Sequence, residues 1–297
     1  MDRLEAMSII VAVTETGSFS AASRRLNKPV ATVSRMVAEL EARLKAQLFQ
    51  RSSRQMTLTD AGRSYIEACK RIIEQVDDAE REVSGEYRIP KGDLAITSPW
   101  GLGHMHLMPI VVEFMNAYPE IALRLVLTDR IVDTVEENID ISIRIGNLAD
   151  SNLIATKVGS VRFVLCASPV YLAEHGHPGE PAELAMHDCI SVDSLAPQRS
   201  WKFIKDGREM VAPIRSRLTV SDSEAAIEAA IAGAGITRVM SYKMEAARRA
   251  GQLVVMLEKY EQEPWPVHIV YAERKPVPLK LRAFLNWMTP RLKARLA

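Results

Sequence analysis

The sequence predicts an α/β protein in three parts: an all-α N-terminal unit, a long connecting helix and a C-terminal α/β unit. Three observations predict it. Helical apolar spacing runs almost unbroken through the first 83 residues. Gly85, Pro90 and Gly92 then interrupt it. Beyond them, short apolar runs (LAIT, IALRLVL, DISIRI, VRFVLCA, VHIVYA) alternate with helical stretches such as 104–117 and 223–233. That alternation is the pattern of an α/β fold with a largely parallel sheet.

The first helix starts after Asp2, which can cap it. Leu4, Met7, Ile10 or Val11, and Thr14 define its apolar face, and Gly17 ends it. Ser18 caps a short second helix in which Phe19, Ala22 and Leu26 share a face, with Arg24 and Arg25 left in water. Asn27, tolerant of the left-handed conformation, ends that helix, and Pro29 suits the first turn of the next. Val33, Val37, Leu40 and Leu44 form the buried stripe of the third helix. Ala31, Thr32, Ser34, Arg35 and Ala38 are left on its other face. A short helix, a tight turn and a longer helix with small and hydroxyl residues at its start meet the requirements of a helix-turn-helix, because bulk or negative charge there would hold the helix out of the major groove. In LFQRSSRQMTLT, Arg51 and Arg54 flank two serines between apolar ends, as in a wing that reaches phosphates or a narrow minor groove.

Charge points the same way. The whole chain of 297 residues has a formal net charge of +1, but residues 20–58 carry eight basic side chains against Glu39 and Glu41, a local excess of +6. Residues 92–297 hold 23 basic and 24 acidic residues. A basic unit at one end suits a polyanion, while a solvated three-helix packing module would show the same arginines.

A helix opening at Thr59–Asp60 then places Tyr65, Cys69, Ile72, Val76, Ala79 and Val83 four, three, four, three and four apart. So narrow a stripe favours self-association through a coiled-coil seam over packing on the helix's own domain. Cys69, Cys166 and Cys189 are too few and too scattered for a disulfide framework or a metal motif. The six histidines lie in no HExxH frame, and no phosphate loop, nucleophile elbow or complete dinucleotide fingerprint is present, so neither a metal, a cofactor nor an enzyme activity is expected. No apolar run reaches the length of a membrane span and the start MDRLEAM is charged. The expectation is a cytoplasmic protein without a membrane partner.

ETGSFSAASRRL, VSRMVAELEARL and LFQRSSRQMTLTDAG together resemble the N-terminal domain of the LysR-type transcriptional regulators, a winged helix-turn-helix family. The resemblance places Lys28, Thr32, Ser34 and Arg35 at the turn and recognition helix that approach promoter DNA, and Arg51 and Arg54 on the wing. Asn27 and Lys45 stand where many relatives carry glycine. LMPIVVEFMNAYPEIALRLVL, VDTVEENIDISIRIG, LCASPVYLAEHG, SWKFIKDG and AAIAGAGI resemble the family's effector domain, built like a type 2 periplasmic-binding protein with two α/β lobes. The implied boundaries are 1–59 for the DNA-binding domain, 60–90 for the linker and dimerisation helix, and 91–297 for the effector domain. Within the last, lobe I is 92–161 and 268–297 and lobe II is 162–267, with crossings near 162–166 and 267–271. Homodimers or homotetramers are implied, with RNA polymerase a partner of an activator.

A cleft between such lobes lies at the carboxyl ends of strands. That selects Ser98, Trp100, Gly101, Thr128, Arg144 and Gly146 from one lobe and Trp201, Ser221 and Asp222 from the other. Free N–H groups at two helix starts suggest an organic anion as the small-molecule effector. Ser98 and Asp222 read equally well as helix caps, and Trp100 and Trp201 as core. The rival function is a solute receptor or hydrolase that uses residues 1–90 as an oligomerisation arm.

Overall fold

The computed structural model describes residues 2–51, 56–84, 89–130, 132–134, 137–148, 152–192, 199–273 and 277–296. The chain divides into two compact units, one built on residues 1–90 and one on 91–275 with 280–297.

In the first unit α1 (Arg3–Thr16), α2 (Phe19–Leu26) and α3 (Val30–Leu44) are followed by two short strands, β1 (Phe49–Arg51) and β2 (Met56–Leu58), and by α4 (Asp60–Ser84). Local chemistry sets each boundary. Asp2 accepts from the Leu4 N–H at 3.0 Å, Ser18 from Ala21 at 3.1 Å and Thr59 from Gly62 at 2.9 Å, while Gly17 ends α1 at φ 71°. Pro29 sits one residue earlier than expected, capping α3 with its carbonyl rather than lying inside the first turn. The buried face of α1 is Ala6, Ile9, Ile10, Ala12 and Val13, and Leu4 is exposed. The correction follows from three neighbours: α1 packs against α2, α3 and α4 at once and needs a wider stripe than one row.

Ile66 and Cys69 of α4 are buried in the same core as Val33, Val37 and Leu40, so the expected boundary at 59–60 does not separate two cores.

The second unit holds two five-stranded sheets. Lobe I is built on β3 (Gly92–Ser98), β4 (Ile121–Leu127), β5 (Ile141–Ile145), β6 (Leu153–Val161) and, from the far end of the chain, β14 (Trp265–Ala272), in the order β4-β3-β5-β14-β6. Between β3 and β4 runs one continuous helical rod, made of α5 (Trp100–Leu102), a π-helical turn (Gly103–Leu107) and α6 (Met108–Ala117). Lobe II contains β7 (Phe163–Ala167), α7 (Pro169–His175), β8 (Asp188–Val192), β9 (Ser200–Lys205), β10 (Arg208–Pro213), β11 (Arg215–Val220), α8 (Ser223–Ile231), β12 (Ile236–Met240), α9 (Ser241–Arg249) and β13 (Val254–Met256). Its sheet order is β11-β8-β12-β7-β13, and β9 and β10 form a separate hairpin. The last helix is α10 (Leu279–Arg295).

The sheets are mixed rather than largely parallel. β14 runs antiparallel to both β5 and β6, and β7 antiparallel to β12 and β13. The chain re-enters lobe I at the end where β3 and β5 finish, so β14 must run against them. Trp265 already pairs with Val161, which puts the second crossing before residue 265 and not at 267–271.

Candidate functional site

The helix-turn-helix is closed by hydrogen bonds that the sequence makes available. Asn27 takes φ 50°, its N–H donates to the Arg24 carbonyl, and the Lys28 N–H donates to the Ser23 carbonyl at 3.0 Å. α3 buries Val33, Met36, Val37 and Leu40 and exposes Ala31, Arg35 and Ala38, with Thr32 and Ser34 half-buried at its start. Two of the expected cations are held by the protein's own acids: Lys28 pairs with Glu5 at 2.6 Å and Arg35 with Glu39 at 2.9 Å. Both pairs keep at least a third of each side chain in water and are therefore weak. Lys45 does adopt the left-handed conformation, at φ 51°. After it, Glu41 accepts from the N–H groups of Leu48 at 2.7 Å and Phe49 at 3.2 Å, which aims the chain into β1. β1 and β2 pair antiparallel from Phe49–Leu58 to Arg51–Met56, forming the stem of a wing. The Arg51 side chain and all of Arg54 lie outside the described residues.

The expected seam of α4 divides in two. Cys69 is fully buried in its own unit's core, and half-buried Tyr65 packs against that core. Burial pushes the Cys69 thiol above its usual range. Ile72 is exposed and Val76 half-exposed, while the side chains of Ala79 and Val83 lie outside the described residues.

In the second unit the selected residues do not all share one environment. At the carboxyl ends of β3 and β4, Ser98 is 1% exposed and its hydroxyl donates to the Pro99 carbonyl at 3.2 Å. Thr128 accepts from the Arg130 N–H at 3.2 Å, and its own N–H donates to the Ser98 carbonyl. Trp100 is exposed and stacks on His104 with ring centroids 5.2 Å apart. Gly146, at φ 108°, lies beneath the ring of Trp265. Ser221 and Asp222 are exposed at the start of α8. Trp201 is misplaced by the sequence reading. It is 3% exposed, packed with Tyr171, Phe203 and Ala212 in the lobe II core, because hairpin β9–β10 folds its apolar face inward.

Arg144 lies on the face of the lobe I sheet, half-buried, donating to the Val132 carbonyl at 3.1 Å. Burial lowers its pKa from the ordinary arginine value.

The free helix starts are also corrected. The Trp100 N–H donates to Asp129 at 3.0 Å and the Ala225 N–H to Asp222 at 3.0 Å, so a carboxylate takes one N–H group at each start. The cation the sequence reading missed is Lys243 of α9. Its side chain is 7% exposed and its ammonium donates to the hydroxyl of Ser223 and, at 3.4 Å, to Glu224. It reaches across to lobe I, where a Cβ on Gly101 would meet its Cε at 2.4 Å. Beside it Tyr242 packs edge-on to His106 of the π-helical turn at 5.4 Å, and burial raises the Tyr242 phenol, assisted by Asp129 and Glu224. No local motif marks Lys243 or Tyr242, because they join the cleft only through the packing of α9.

At the hinge, Arg162 pairs with Glu261 at 2.8 Å, joining the two crossings. Among the described residues no cluster of His, Cys, Asp and Glu could hold a metal ion, and no helix is long and apolar enough to cross a membrane.

Comparison with known proteins covers both units. The family described as bacterial regulatory helix-turn-helix protein, lysR family, matches residues 4–63, and the LysR substrate binding domain matches residues 88–293. The HTH-type transcriptional activator AaeR of Escherichia coli K12 is 31% identical over 290 residues, 97% of this chain and 94% of that protein. The HTH-type transcriptional regulator CrgA of Neisseria meningitidis serogroup B is 32% identical over 289 residues, 97% and 96% of the two chains. Among solved structures, that of CrgA from Neisseria meningitidis aligns at a TM-score of 0.62 with 32% identity, over 97% of this chain and 98% of that one. The full-length structure of the Vibrio cholerae virulence activator AphB aligns at 0.60 with 29% identity, over 97% and 98%.

Proposed function

The chain belongs to the LysR family of transcriptional regulators, and from that premise we propose how its own residues read DNA and sense an effector. It is an effector-responsive, DNA-binding regulator. The alternative of a receptor or hydrolase is not favoured, because the relatives matched along the full chain are named as regulators.

The exposed Ala31–Arg35–Ala38 face of α3 carries the DNA reading. Two alanines let the helix backbone approach the floor of the major groove, Arg35 offers a bidentate donor to a guanine edge, and Thr32 and Ser34 supply short hydroxyls. Lys28, Arg51 and Arg54 contact phosphates. Two such units on one face of the duplex require a dimer, joined through Ile72, Val76, Ala79 and Val83, and a dimer of dimers extends the same logic to a tetramer. The protein works in the cytoplasm, and where it activates transcription RNA polymerase is its further partner.

The effector is a small organic anion held between the lobes near Trp100, Gly101, Thr128, Gly146, Ser221 and Asp222. With a carboxylate already at each helix start, the main support for an anion is Lys243, a shielded ammonium at this cleft. The ligand shifts the regulator between assemblies only as far as it prefers one of them.

The test is retention of the full chain on promoter fragments and on random DNA across a salt series. Arg35→Ala should weaken promoter binding by about 1–3 kcal/mol and random-DNA binding far less. Equal losses on both DNAs would remove Arg35 from base readout.

A further inference from the structure

The lobe I sheet carries a polar row on one face that the cleft does not use. Side chains alternate along a strand, and residues directly paired across strands share a face. Ser142 and Arg144 are two apart on β5. Ser142 pairs with Thr97 of β3, Arg144 with His268 of β14, and His268 in turn with Lys157 of β6. Arg144, His268 and Lys157 thus stand side by side across three strands, with Ser142 one step deeper.

Two features set this row apart from a solvated basic face. Ser142 is 2% exposed, yet among the described residues its hydroxyl has no hydrogen-bond partner, and neither has the buried Nδ1 of His268. Stable sheets rarely leave such buried groups unpaired, because each then forfeits its hydration without a replacement. In addition, no carboxylate among the described residues pairs with Arg144, His268 or Lys157. Among those residues the one polar contact of the Arg144 guanidinium is the neutral Val132 carbonyl. The row runs from the buried Ser142 through half-buried Arg144 and His268 to the exposed Lys157, so it opens toward water at one end.

We infer that this face of lobe I is an oxyanion-binding site, in which the Ser142 hydroxyl, the Arg144 guanidinium and the His268 imidazole take the oxygens of a carboxylate or phosphate group, with Lys157 at the entrance. A planar or tetrahedral oxyanion supplies the acceptors that these donors lack, and the bidentate fork of Arg144 suits either. The site is separate from the cleft occupied by Lys243 and stands or falls independently of it.

The experiment is a titration of the full chain with inorganic phosphate and, separately, with acetate, at ionic strength held constant with chloride. It is followed through the side-chain NMR resonance of His268, assigned by His268→Gln. A saturable shift with either anion is expected, and the responding anion identifies the group: phosphate alone a phosphoryl ligand, acetate alone a carboxylate. Ser142→Ala and Arg144→Gln should each weaken the binding at least tenfold, while the cleft substitution Thr128→Val leaves it unchanged. Ser142→Ala provides a second readout. Because the hydroxyl is unpaired without a ligand, its removal should leave the melting temperature of the anion-free protein unchanged or higher, yet abolish the stabilisation that the anion confers. A linear, unsaturated response to both anions, or equal affinity in the wild type and Ser142→Ala, would overturn the proposal.

Discussion

The side chain of Lys243, carried by lobe II, lies against the backbone of Gly101 in lobe I so closely that a methyl group there would meet its Cε at 2.4 Å. Gly101 is helical and free of positive φ, so what alanine would displace is the far end of a flexible chain. Gly101→Ala should destabilise by about 1–2 kcal/mol, the loss of a shielded ion pair outweighing the gain in helix propensity. Acetylation of Lys243, measured by mass spectrometry, should rise several-fold as the ammonium leaves Ser223 and Glu224. Gly235→Ala is the contrast: there φ is +147° and the new methyl would lie 2.3 Å from the rigid Asp188 carbonyl oxygen. It should cost about 3 kcal/mol or more, read by calorimetry as an early lobe II transition. Similar melting of the two variants would show that Lys243 is not the yielding partner.

Two left-handed turns of the first unit rest on non-glycine residues, Asn27 and Lys45. Lys45→Gly should stabilise that unit by about 0.5–1 kcal/mol, since lysine bears a Cβ clash there that glycine lacks. Asn27→Gly should gain less, because asparagine tolerates this region. A lower melting temperature for Lys45→Gly would show that the lysine side chain contributes more than its backbone strain costs.

Along α4, Ile72→Asp and Val76→Asp should reduce the oligomer to smaller species in light scattering while the circular dichroism of the first unit is retained. Cys69→Asp should instead unfold that unit, because the charge would enter a fully buried position. An unchanged oligomer in Ile72→Asp, Val76→Asp together would exclude this stretch from the subunit contact.

Burial pushes the Cys166 and Cys189 thiols up to about 12. These groups favour the folded state fully below the unfolded thiol value of about 8.5, and their contribution is lost as pH rises from there toward 12, because the unfolded chain ionises first. Denaturation midpoints should therefore fall above about pH 8.5, and less so in Cys166→Ala, Cys189→Ala. All three cysteines are buried, so a disulfide reagent at pH 8 should label none in the native protein within minutes and all three in denaturant.

Caps, turns and spacing made the first unit legible in the sequence, since Asp2, Gly17, Ser18, Asn27, Thr59 and the stripe of α3 act on neighbours a few residues away. The same local signals located the strands of lobe I. Local pattern does not tell an apolar position buried in its own core from one left exposed, and the single stripe of α4 therefore holds both Cys69 and Ile72. Nor could it separate Trp201, turned inward by a hairpin, from Trp100, left exposed on a helix start.

Tertiary structure decided what depends on residues remote in sequence. The direction of β14 follows from where the chain re-enters lobe I. Lys243 meets Gly101 across 142 positions, and Asp129 caps Trp100 across 29. Ser142, Arg144 and His268 become neighbours only through strand pairing. Short-range hydrogen bonds and side-chain periodicity are written in adjacent residues, and from these the sequence alone determined the helix-turn-helix and the α/β class, while motif resemblance gave the family. Charge pairing, burial and register arise when distant segments close on one another, and these determined which of the candidate residues stand free to bind.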